Sequence, residues 1–145
     1  MIKYTDFKNS LEKTVNDFQP IFFAFSNEQY REGIKKLGAS KDNKIMAVGM
    51  GGYILAKDIK RFISMVGTRK QRLKEYLKDP EQLKDAFIYE LGNHEFCITY
   101  DYEPTLEALG LKIDKLTKRK RAILVIAKNE YLSYYDGDQL KEEVA

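Results

Sequence analysis

Ile45-Met46-Ala47-Val48-Gly49-Met50-Gly51-Gly52-Tyr53-Ile54-Leu55-Ala56 reads as two short apolar runs around a glycine-rich turn. Glycine tolerates the positive φ angles that a tight antiparallel connection demands, so this stretch predicts a β-hairpin. Just upstream, Ile21-Phe22-Phe23-Ala24-Phe25 is short and dense in aromatic and branched residues. That composition favours a buried strand, which would join the hairpin in a small antiparallel sheet.

Outside these runs the apolar spacing is helical. Phe7, Leu11, Val15 and Phe18 line one face of a first helix, with Thr5 or Asp6 as its cap and Pro20 just past its end. Ser26 and Gln29 form a capping box ahead of Tyr30, Ile34 and Leu37, and Gly38 is the expected left-handed stop. From Asp58, Ile59, Phe62, Ile63, Val66, Leu73 and Leu77 make one stripe, with Gly67 and the Thr68/Gln71 pair as a break or kink.

Asp79-Pro80-Glu81-Gln82 is a strong helix start, and Leu83, Phe87 and Leu91 form the buried face that follows, ending at Gly92. Phe96-Cys97-Ile98-Thr99-Tyr100 reads as a strand or an extended crossover. Glu103-Pro104 opens a short helix carrying Leu106 and Leu109, closed by Gly110 with Leu111 as its apolar contact. From Asp114 to about Tyr135 the spacing of Leu116, Ile123, Ala127, Tyr131 and Tyr134 fits a helix, and a hairpin through Ala122–Ala127 and Tyr131–Tyr135 is the competing reading. Asp136-Gly137-Asp138 is expected to stop it, leaving a frayed acidic tail over 136–145. The expectation is a helix-rich α+β fold, a single domain over residues 1–145 around a small antiparallel sheet.

Composition narrows the class of molecule. The 145 residues are 43% hydrophobic and 32% charged, which excludes a disordered chain. The longest apolar run, Ala122 to Ala127, is far shorter than the roughly 20 residues of a membrane span. Charge enters at Lys3 and Asp6 with no apolar core of a secretory leader, so the expected location is cytoplasmic. Cys97 is the lone cysteine, which rules out an intrachain disulfide and a cysteine-based zinc frame.

The formal net charge of +3 averages over unlike segments. Lys57 to Lys78 carries a net +6 and Lys112 to Arg121 a net +5, whereas Asp79 to Glu107 carries −7. Solvated helix faces of opposite sign account for such a layout. A basic face for nucleic acid, or an acidic face for a basic protein, accounts for it as well.

Three stretches carry a resemblance: Phe22-Phe23-Ala24-Phe25-Ser26-Asn27-Glu28-Gln29; Gly49-Met50-Gly51-Gly52-Tyr53-Ile54; and Ala86-Phe87-Ile88-Tyr89-Glu90-Leu91-Gly92-Asn93-His94-Glu95-Phe96 together with Ala108-Leu109-Gly110-Leu111. Over about residues 5 to 130 the chain resembles small uncharacterised proteins of bacteriophages and mobile elements of Gram-positive, gut-type bacteria. The resemblance implies no activity. It implies an accessory protein that binds a host component, such as an inhibitor of a bacterial defence system, anti-CRISPR-like or other.

Three sets of residues are candidates for function. The acidic segment offers Asp85, Asp101 and Glu103 to a basic partner, with Tyr100-Asp101-Tyr102 and Tyr134-Tyr135-Asp136 as aromatic anchors. Arg69, Lys70, Arg72, Lys118, Arg119 and Arg121 are the nucleic-acid alternative, since clustered cations release phosphate counterions, although no standard binding signature accompanies them. Glu90, Asn93, His94 and Glu95 surround the only histidine, as an acid/base or ligand site or as a helix cap whose imidazole reaches a freed carbonyl or a carboxylate such as Glu28.

The Gly49–Gly52 loop lacks the Gly-Lys-Ser/Thr of a P-loop, and a Cys97/His94 dyad has no orienting motif. No cofactor or metal is expected. The leading expectation is non-enzymatic binding of a host protein; nucleic-acid binding, and a small-ligand binder or enzyme centred on His94, stand as alternatives. No sustained heptad pattern sets an oligomeric state.

Overall fold

The helix stripes and the hairpin organise a helix-rich α+β fold. A computed structural model describes residues 1–38 and 42–144, with side chains through residue 134. The elements run α1 (Tyr4–Asn16), β1 (Phe22–Phe23), α2 (Asn27–Leu37), β2 (Ile45–Gly49), β3 (Gly52–Leu55), α3 (Ile59–Tyr76), α4 (Pro80–Asn93), α5 (Phe96–Thr99), α6 (Glu103–Ala108) and α7 (Lys118–Val144). Two compact units are built from them: Ser10–Arg69, and Met1–Asn9 with Lys70–Ala145.

The Ser10–Arg69 unit holds the three-stranded antiparallel sheet, in the order β1-β3-β2. Its hairpin turns at Met50 and Gly51, both at positive φ as a tight hairpin connection requires. The predicted strand over Ile21–Phe25 shortens to Phe22 and Phe23, paired with Tyr53 and Gly52.

Ser26 caps α2 by accepting the Gln29 amide at 3.2 Å, and the Gln29 side chain reaches back to the Phe25 amide at 2.8 Å. Gly38, at φ 65°, closes the helix as expected. Phe22 packs where α2 has Gly33, and a Cβ there would lie 2.1 Å from the Phe22 ring. The unit's core is Leu11, Phe18, Phe22, Ala24, Ile54 and Leu55.

In the other unit α4 packs against α5, α6 and α7. Asp79 caps α4 by accepting the Glu81 and Gln82 amides, with Pro80 at the first position. Leu83, Ala86, Phe87 and Leu91 are almost completely buried, as are Leu106, Leu109, Leu124 and Ala127 from the neighbouring helices. Gly110 at φ 69° ends α6's turn, and the Leu111 amide closes onto the Leu106 carbonyl at 2.8 Å.

Several sequence expectations are corrected. Phe96–Thr99 is a helical turn rather than a strand, bracketed by Glu95 and Tyr100, both at positive φ. Backbone reversals at those two residues isolate it, and β-branched composition cannot reveal them. Helix α3 runs unbroken through Gly67, because the Thr68 hydroxyl bonds back to the Ser64 carbonyl instead of capping a new helix.

Helix α4 continues through Gly92 and Asn93 to a cap at His94. Residues 118–144 form one helix, so the hairpin reading falls and the expected stop at Asp136-Gly137-Asp138 is passed. The helix begins at Lys118 rather than Asp114, since Thr117 accepts the Lys120 and Arg121 amides.

Candidate functional site

Glu90 stands on the same face of α4 as Leu83, Ala86, Phe87 and Leu91, and is 1% exposed. A carboxylate in that position must find donors or lose its charge. It finds them. The Tyr4 hydroxyl donates at 2.6 Å, the Lys8 ammonium at 2.9 Å and the Asn93 amide at 3.2 Å. Burial pushes the carboxyl's pKa up, but these three donors and the Lys8 charge outweigh it and hold the group below the ordinary glutamate range. Tyr4, buried against that carboxylate, is raised well above the usual phenol range.

His94 caps α4 through its own amide, which donates to the Glu90 carbonyl at 3.0 Å. Its Nε2 sits 3.2 Å from Glu90 Oε2 without a hydrogen bond between them. The carboxylate beside the imidazole is therefore Glu90, and the freed carbonyls at the helix end are met by backbone. Glu95 is exposed and turns the chain at φ 55°. A general acid works best with a pKa near neutrality, and Glu90 is displaced the other way. Among the described residues no three His, Cys, Asp or Glu side chains are placed to hold a metal ion. Cys97 is half-buried on α5, with its amide bonded to the Tyr131 hydroxyl at 3.2 Å.

The basic candidates are partly committed to the fold. Arg69 Nε donates to the Leu11 carbonyl at 3.1 Å, and the Arg72 guanidinium lies over the Phe7 ring at 5.6 Å. Arg121 donates to the Ile113 carbonyl at 3.0 Å. Lys70, Lys118 and Arg119 are exposed, the last two in a first helical turn that has no acid to offset them. The glycine loop carries a hairpin turn whose tip residue, Met50, is 92% exposed.

The acidic trio separates by role. Asp85 accepts the Tyr4 amide at 2.7 Å and so caps α1. Asp101 and Glu103, in contrast, lie together on the wall of an open groove of about 840 Å³ lined by residues of the 100–114 segment. Tyr100, Tyr102, Leu106, Leu111 and Ile113 supply apolar walls. Four carboxylates, Asp101, Glu103, Glu107 and Asp114, stand against Lys112 alone, a net of −3.

The positions follow from local structure. Asp101 accepts the Glu103 amide at 3.0 Å, which starts α6 and turns Glu103 outward, and Gly110 returns the chain so that Lys112–Asp114 faces it. Phe96 anchors the near wall by stacking on Tyr102, with ring centres 4.7 Å apart. Tyr100 and Ile113 stay 66% and 51% exposed at the rim.

Glu107 and Asp114 were not singled out from the sequence. The signal was present as acids alternating with apolar residues on both sides of Gly110, but only the chain reversal there brings the two halves together. Of the second aromatic candidate, Tyr134 is exposed and donates to Glu130 at 2.9 Å, while the side chains of Tyr135 and Asp136 lie outside the described residues.

Residues 3–129 match a known family across most of the chain. The chain belongs to DUF7659, a family of unknown function. No curated protein and no solved structure matches it. No helix among the described residues is long and apolar enough to cross a membrane.

Proposed function

We propose that this chain is a non-catalytic binding protein, a phage or mobile-element accessory factor that captures a basic segment of a host protein in the cytoplasm. A component of a bacterial defence system is the target class this reading favours. The observation that carries it is the lining of the Tyr100–Asp114 groove, in which four carboxylates rim an apolar, aromatic trough. An arginine or lysine side chain entering it meets a carboxylate at its head and Tyr100 or Ile113 along its stem. Arginine gains further from stacking on an exposed tyrosine ring.

The surplus negative charge steers a basic partner and makes association sensitive to salt. The chemistry around Glu90 supports the non-catalytic half of the reading, since its donors stabilise a buried ion rather than poise a proton for transfer.

The test is affinity capture from lysate of a Gram-positive host, with and without nuclease treatment, using wild type, D101K/E103K and E107K/D114K as parallel baits. A host protein retained by wild type, released by salt and lost by both folded variants is the expected result. Equal retention by all three baits refutes the groove, and recovery only when nucleic acid is intact transfers the function to Lys118 and Arg119.

A further inference from the structure

Strand β2 is an edge, paired with β3 on one side and, among the described residues, with no strand on the other. Which of its backbone groups face outward follows from the alternation of an antiparallel ladder. The Ala56 amide donates to the Lys44 carbonyl at 2.8 Å. Lys44 and Ala56 are therefore a hydrogen-bonded pair, and the register continues Ile45↔Leu55, Met46↔Ile54, Ala47↔Tyr53. Lys44 and Met46 thus turn their N–H and C=O groups toward β3, and Ile45 and Ala47 turn theirs to the open edge. The opposite border of β3 agrees. The Ala24 amide donates to the Gly51 carbonyl at 2.9 Å, which with Phe22↔Tyr53 aims Tyr53 at β1 and leaves Ile54 for β2.

Natural sheets guard open edges with charge, proline or distortion. Ile45-Met46-Ala47-Val48-Gly49 contains neither a charge nor a proline. Its irregularity lies between Ala47 and Gly49, beyond the regular stretch. Met46 is 39% exposed and Ala47 is exposed too, so the edge offers apolar side chains along with its backbone groups.

We propose that this edge pairs with the same strand of a second copy of the chain, antiparallel about a two-fold axis at Met46. Ile45 and Ala47 then exchange hydrogen bonds reciprocally with Ala47 and Ile45 of the second copy. No charge opposes this self-pairing. The paired residues Ile45, Met46 and Ala47 are uncharged and the two copies of Lys44 lie at opposite ends of the pairing, so no charge meets its like, and the irregularity after Ala47 with the positive φ of Gly49 and Met50 ends the ladder there. Met46 faces Met46 across the axis, where two flexible thioethers adapt to one another. Such an interface is self-complementary and closed, as two-fold dimers are.

Sedimentation velocity of the full chain from about 1 μM to 1 mM tests it, a range that brackets weak association. The expected result is a concentration-dependent dimer. M46K and M46E should each be monomeric with unchanged circular dichroism, and their equimolar mixture should re-form a dimer, because lysine then faces glutamate across the axis. A47P, which removes only an outward N–H, should also be monomeric. A wild type that stays monomeric throughout, dimers that survive in M46K or A47P, or a mixture that stays monomeric overturns the proposal.

Discussion

The Tyr4 hydroxyl donates to the Glu90 carboxylate at 2.6 Å, joining residues 86 positions apart. Through this bond and the Lys8 ion pair, the first two turns of α1 secure a buried charge in α4. Hydrogen bonds to charged groups contribute about 1.5–3 kcal/mol. Tyr4→Phe is expected to lower unfolding free energy by about that amount in urea titrations. Glu90→Leu, which strands Lys8, Tyr4 and Asn93 together, is expected to cost about 3–5 kcal/mol.

The pH dependence of stability follows from the same group with an opposite pair of signs. Glu90 is held below its ordinary range, so its contribution is complete above the unfolded value of about 4.3 and fades as pH falls through the lower folded value. Tyr4 is raised, and Tyr76 is pushed up to about 12 by burial and by Asp85, Asp79 and Asp6. Their contributions are complete below about pH 10 and fade as pH rises beyond it. Thermal melts across pH should show Glu90→Gln flattening the acid limb and, because Tyr4 loses the carboxylate that helps raise it, part of the alkaline limb, whereas Tyr76→Phe flattens the alkaline limb alone.

Gly33 admits the Phe22 ring to the surface of α2. Gly33→Ala should destabilise by about 1–3 kcal/mol, the usual cost of overpacking, despite alanine's better helix propensity. Phe22→Leu should relieve part of that cost, and a double-mutant cycle in urea reads the coupling directly. Additive effects would show that the ring and the helix do not press on each other.

Arg69 and Lys70 are adjacent in sequence but differ in role. Arg69 holds the Leu11 carbonyl, so Arg69→Ala should lower stability by about 1–2 kcal/mol. Lys70→Ala, on an exposed side chain, should change it by less than about 0.5 kcal/mol. Chemical denaturation of the two variants checks this.

Local chemistry made much of the fold readable. Asp79-Pro80 at the start of α4, Ser26/Gln29 ahead of α2 and the glycine hairpin all carry side chains or φ preferences that act within a few residues. What escaped depends on distant partners. Positive φ at Glu95 and Tyr100 encloses α5, and no residue type there advertises it. Gly67 and Gly92 looked like stops but sit in helices whose neighbours continue the backbone ladder.

At the candidate sites, Glu90 was legible only as a neighbour of His94, and its partner Tyr4 was not legible at all, because nothing in residues 1–8 marks a tyrosine as a donor. Asp101 and Glu103 were legible as charge, and the groove was not. It exists only where Gly110 folds Lys112–Asp114 back toward α6.

On the proposed function, the groove holds a basic segment of a host protein. Site-specific photo-crosslinking in living host cells tests it most directly, with a benzophenone amino acid at Ile113 on the groove wall and at Tyr134, exposed on α7, as the control. One host protein should be joined at position 113 and absent at 134, its cross-linked peptide rich in lysine or arginine. No adduct at 113, or the same adducts at both positions, would contradict it.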